Sequence, residues 1–97
     1  MTQVYPIILT QTEDGYGVTV PDFDINTQCD DYAEAMFMAR DAICATAIVM
    51  EDEGMALPAP SELSAIRPEN EDDVVALVDV DIAAYRRREE MRTVKKN

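Results

Sequence analysis

Four aspartates crowd one short stretch of this 97-residue chain, Asp22, Asp24, Asp30 and Asp31, and two more, Asp79 and Asp81, flank a single valine near its far end. Hard cations take oxygen ligands from clustered carboxylates, so both groups are candidates for a metal site. The spacing argues against it, because an EF-hand loop needs further ligands, a central Gly and a terminal Glu. Turn and helix-cap duties are the simpler reading, and no metal or cofactor is expected. Nucleophilic chemistry fares no better. The sequence has no histidine to act as a base, neither Cys29 nor Cys44 sits beside a Lys or Arg that would lower its pKa, and no Gly-rich loop offers a phosphate cradle. Two cysteines are also too few for a zinc site or a disulfide framework. Reduced thiols are expected, with Cys44 as a small filler within a helix. The six methionines read as core and helix packing, with a Met-lined docking groove as the alternative. The chain reads as a non-enzyme.

Charge says more. The net charge is −12, but the distribution is uneven: residues 1–84 hold only Arg40 and Arg67 against 18 carboxylates. From residue 85 onward Arg86, Arg87, Arg88, Arg92, Lys95 and Lys96 outnumber Glu89 and Glu90. An acidic body of this kind repels phosphate backbones and attracts basic proteins, while a basic tail does the reverse. The excess also surpasses the net charge of about 2 to 8 that keeps a small domain soluble.

With 47% hydrophobic residues, the chain can build one core, and its length suits one domain, 1–84, followed by a basic linker, 85–97. No apolar run approaches the roughly 20 residues of a membrane span, and the N-terminus lacks a signal-peptide pattern. A soluble, cytoplasmic protein is expected. Val4 to Thr10 is β-branched and reads as a first strand, with Pro6 suited to an edge position or to the start of pairing. Asp14-Gly15 signals a hairpin, and Tyr16, Val18 and Val20 alternate as a second strand that Pro21 ends. Ile25, Thr27 and Cys29 suggest a third, completing an antiparallel meander. Asp31 then caps a helix, with Glu34 three residues on as its capping-box partner. Tyr32, Met36, Ala39, Ile43, Ala47 and Met50 form its sheet-facing side, and Gly54 stops it. Residues 55–73 have loop composition, with one helical turn near Pro60 to Leu63. Val74 to Val80 reads as a central or well-buried fourth strand, and Asp81 to Met91 as a short final helix. The fold class is α+β.

Tyr5-Pro6, Asp14-Gly15-Tyr16 with Val18, Pro21-Asp22-Phe23, Glu34-Ala35, Ala39-Arg40-Asp41-Ala42-Ile43 and Leu57-Pro58-Ala59-Pro60-Ser61 occur in an order and spacing that resembles the N-terminal domain of HicB antitoxins. The resemblance covers about residues 4–82. It implies a partial, degenerate ribonuclease H-like fold and inhibition of a HicA toxin, a small basic messenger-RNA ribonuclease. It also implies transcriptional autoregulation through a C-terminal ribbon-helix-helix or helix-turn-helix DNA-binding domain. The sequence departs from the family where Asp24-Ile25-Asn26 replaces a glycine-containing turn. Arg92 to Asn97 looks like the lead-in to a ribbon-helix-helix strand whose remainder is missing.

The sequence thus points to a type II antitoxin. Asp22, Phe23, Asp24, Asp30 and Asp31 are its candidate toxin contacts, Phe23 supplying an apolar anchor and the carboxylates complementary charge. Arg92, Lys95 and Lys96 are candidate DNA contacts in a full-length form only. Homodimerisation or higher association is expected, because a four-stranded sheet with one helix leaves at least one edge strand and one sheet face to be covered, and Pro6 protects the first strand only in part. A vestigial magnesium-dependent nuclease, which needs three converging carboxylates, and a toxin-independent homo-oligomeric scaffold are the rival readings.

Overall fold

The computed structural model describes residues 2–95. Strands β1 (Gln3–Gln11), β2 (Tyr16–Val20) and β3 (Ile25–Cys29) pair antiparallel in succession, and β4 (Val74–Val80) adds antiparallel on the far side of β1, giving the order β3-β2-β1-β4. Residues paired across strands share a face of the sheet. The register therefore brings Tyr5, Ile7, Leu9, Val18, Val20, Val78 and Val80 together, all buried, under helix α1 (Tyr32–Asp52). Helix α2 (Ile82–Lys95) follows β4 directly.

Strand β1 is interior, and the sheet edges are β3 and β4. This corrects two expectations. The apolar run of β4 reflects apolar residues on both faces of an edge strand: Val78 and Val80 point into the core, while Leu77 on the other face is 51% exposed. Pro6 is buried inside β1 opposite Leu77, not on an edge. The Asp79 carbonyl accepts a 2.8 Å bond from Arg40 Nε, outside the sheet, so by two-residue alternation Leu77 also turns its polar groups away from β1. Pro6 consequently faces no β4 acceptor for the N–H it lacks, and pairing with β2 begins only at Ile8. Strand β1 thus offers no open edge for self-association, and the open edges are those of β3 and β4. On β4, Arg40 already occupies one edge carbonyl.

The helix ends follow their caps. Asp31 accepts the Glu34 N–H at 2.8 Å, and the Glu34 carboxylate reaches back to the Asp30 N–H at 2.8 Å, one residue earlier than a standard capping box. Gly54, with φ +74°, closes α1 in the left-handed conformation that glycine favours. Ala35, Ala39, Ile43 and Ala47 are all fully buried against the sheet, whereas Tyr32, expected among them, is 50% exposed. The helical turn expected near Pro60 lies later, at Leu63–Ala65, because the Asp22 carboxylate binds both the backbone N–H and the hydroxyl of Ser61.

Helix α2 is longer than expected and crosses the anticipated boundary at residue 84. Arg86 donates to the Ile48 carbonyl at 3.3 Å and pairs with Glu51 and Asp52 at 3.0 and 3.1 Å, a cation at the electronegative end of α1. Residues 92–95 are helical, so the ribbon-strand lead-in expected there begins as helix instead. Lys96 and Asn97 lie outside the described residues. Among the described residues no helix is long and apolar enough to cross a membrane.

Two predictions follow from this packing. A β-carbon at Gly15 would stand 2.2 Å from the Cys29 carbonyl oxygen, so Gly15→Ala must push the β1–β2 turn off β3. It should lower stability by at least about 2 kcal/mol in urea melts. The second concerns Asp79, whose carboxyl is held below its usual range chiefly by the Arg40 hydrogen bond. A depressed folded-state pKa stabilises above the unfolded value and loses that contribution as pH falls through the folded one. Asp79→Asn should therefore lower the melting temperature at pH 7, and the difference from the wild type should shrink as pH falls below the ordinary aspartate range.

Candidate functional site

Asp22, Phe23, Asp24, Asp30 and Asp31 do not form one site. Asp22, Phe23 and Asp24 precede β3 and Asp30 and Asp31 follow it, so its five residues hold the two groups about 15–20 Å apart. At the first corner, Pro21–Phe23 forms a single 3-10 turn that Asp24 closes with φ 55° and ψ 45°. Aspartate tolerates this left-handed position better than most residues, which explains how Asp24-Ile25-Asn26 does without a glycine.

The first corner is largely committed to internal work. Asp22 grips Ser61, and Phe23 meets Tyr5 edge-to-face with centroids 4.9 Å apart. The buried Tyr5 donates its hydroxyl to the Pro58 carbonyl at 2.8 Å, and burial followed by the Asp22 charge raises its pKa. Together these contacts pin the segment after α1 to the end of the sheet. Phe23 is therefore a half-buried wedge and not a free anchor. A recess of about 320 Å³ remains there, lined by Asp22, Phe23, Asp24, Met50, Ala56 and Pro58. The Asp24 carboxylate has no partner among the described residues.

At the second corner Asp31 caps α1 and Asp30 holds Glu34 through its backbone, leaving the Asp30 carboxylate outward. Tyr32 stacks on Tyr16 with ring centroids 4.6 Å apart and planes at 27°. Cys29 lies buried behind them, and burial, then the charges of Glu34, Asp31 and Asp30, push its thiol pKa up. Burial does the same for Cys44. Neither thiol is poised as a nucleophile.

The remaining carboxylate pair is structural too. Asp79 pairs with Arg40 at 2.8 Å, and Asp81 accepts the Ala84 N–H at 3.0 Å at the start of α2. Among the described residues no group of three or more Asp, Glu, Cys or His is arranged to hold a metal ion. Backbone positions of Arg92 and Lys95 fall on the last turns of α2, and Lys96 falls outside the described residues.

One exposed feature escaped the sequence reading. Phe37 is 66% exposed on the outer side of α1, with Ala33 exposed one turn before it. Helical periodicity alone places Phe37 well off the Ala39–Ile43–Ala47 face, so an aromatic with no seat in the core was legible.

Comparison with known proteins agrees with this arrangement. A model of the HicB-like antitoxin of bacterial toxin–antitoxin systems matches residues 5–95. An uncharacterised 14.9 kDa protein from the rep–hol intergenic region of Haemophilus phage HP1 is 35% identical over 82 residues, covering 81% of this chain. The chain spans 62% of that phage protein's length. In fold, it resembles a chain of the toxin–antitoxin complex from Streptococcus pneumoniae, with TM-score 0.74 and 24% identity over 88% of this chain and 73% of that one. A chain of a HicA3 and HicB3 toxin–antitoxin complex superposes with TM-score 0.68 and 22% identity, over 81% of this chain and 99% of the other. With the match running from Tyr5 in β1 to the last turn of α2, the chain belongs to the HicB-like antitoxin family.

Proposed function

We propose that this chain is the antitoxin of a type II toxin–antitoxin pair and that it neutralises a small basic HicA-type messenger-RNA ribonuclease by covering its RNA-binding or catalytic surface. The observation that carries the reading is the electrostatic state of the folded body. Residues 1–84 hold 18 carboxylates and two arginines, and the structure engages both arginines internally. Arg40 is paired with Asp79, and Arg67 bonds the backbone carbonyls of Ser64 and Ile66. A body so charged repels nucleic acid and competes with it for the same cationic surface.

Complementary charge of this kind acts mainly on encounter rate and specificity, with the lasting affinity supplied by a few buried anchors. Binding to the purified toxin should therefore be detectable below micromolar concentration at low salt. Raising salt from about 50 to about 500 mM should weaken it at least tenfold, mainly through slower association. No interaction at micromolar protein in either salt would contradict the reading.

Autoregulation belongs to the same proposal, wherever this domain is joined to a DNA-binding domain. The present 97 residues place Arg87 and Arg88 exposed on a single helix attached to an acidic body. A reader of the major groove needs its recognition element held in register by a partner chain or supporting helices. In gel-shift titrations against its own promoter, this chain should bind weakly and without sequence preference, and the same residues joined to a DNA-binding domain should bind specifically. Tight, sequence-specific binding by these 97 residues would refute the division of labour.

A further inference from the structure

We propose that the outer face of the N-terminal half of α1, centred on Phe37 with Ala33, is the surface on which a basic protein partner docks. The inference rests on the antitoxin reading and assigns it a place. Residues 33, 37, 41, 44 and 48 recur at spacings of four, four, three and four, and so share one face of the helix. Helix α2 covers the lower part of that face. Cys44 is buried, Arg86 bonds the Ile48 carbonyl, and burial followed by the nearby Asp41 raises the Tyr85 pKa. Beyond Asp41 the same face continues as Phe37 and Ala33, both exposed among the described residues. The exposed stretch is thus the uncovered continuation of a surface the protein already uses for helix packing.

Charge selects the occupant. Phe37 lies between Glu34, one turn before, and Asp41, one turn after, and the Asp30 carboxylate stands outward at the helix start. No Lys or Arg occurs in residues 1–39, and Arg40, the one cation of α1, is turned to Asp79 on β4. Pairing of this face with the same face of a second copy would bring its carboxylates against themselves, and a nucleic acid would bring phosphates; both are opposed by like charge. A partner with an apolar pocket rimmed by Lys and Arg satisfies the aromatic ring and the carboxylates together, the arrangement of an interfacial anchor inside a charged rim.

Isothermal titration of the full chain with its cognate HicA-type toxin tests the placement. Phe37→Glu and Ala33→Arg alter exposed positions and should melt within about 3 °C of the wild type, given the small effect of surface substitutions. Each should weaken binding at least tenfold, whereas Asp24→Asn at the opposite corner should change it less than about twofold. Wild-type affinity in both α1 variants would overturn the placement, as would weakening by Asp24→Asn alone. Sedimentation of the isolated chain supplies a further check. A wild-type dimer that Phe37→Glu converts to monomer would assign the face to a second copy and overturn the proposal. Absence of binding by the wild type itself would instead overturn the antitoxin reading, and this inference with it.

Discussion

The seat of α1 on the sheet governs the molecule. Ala35, Ala39 and Ala47, fully buried with Ile43 among them, are small enough to let the helix approach the Tyr5, Ile7, Val18, Val78 surface closely. Close-packed interiors tolerate little change in volume, so this row fixes both the height and the rotation of the helix. The rotation in turn decides which residues reach their partners. It brings Arg40 to Asp79 at the β4 edge, turns Cys44 and Ile48 toward α2, and leaves Phe37 facing outward. The outward face therefore follows from the packing of the inward one.

Carboxylates that look like a catalytic or metal-binding cluster in the sequence are distributed by the fold among separate structural tasks. Asp22 holds the segment after α1, Asp31 starts α1, Asp79 pairs with Arg40, and Asp81 starts α2. Each accepts hydrogen bonds that would otherwise leave a backbone or guanidinium group unsatisfied, the usual price of turns and helix ends. The carboxylates not drawn into these tasks keep the surface negative. One residue type thus both closes the fold and sets the electrostatic field around the body.

Much of the fold was legible because local signals agreed with one another. The alternation of Tyr16, Val18 and Val20, the Asp31–Glu34 cap and the Gly54 stop each name an element without reference to the rest. What sequence could not supply was lateral order. The run Val74 to Val80 is equally apolar whether the strand is central or at an edge, and only pairing with β1 alone decides it. Of the two settings that suit Pro6, an edge or the start of pairing, only the edge is excluded, since its missing donor is harmless at an interior position just before pairing with β2 begins. The candidate contacts were adjacent in sequence but separated in space, because the five extended residues of β3 lie between them. Phe37 was readable from helical phase, yet the width of the uncovered face depends on where α2 stops.

The central question is whether this acidic domain acts by covering a basic enzyme. The most direct measurement is the rate at which the HicA-type toxin cleaves messenger RNA as this chain is titrated in at physiological salt. The account predicts that cleavage falls to background near stoichiometric antitoxin, through formation of a protein–protein complex that excludes RNA. Undiminished cleavage at a several-fold excess of folded chain would contradict it.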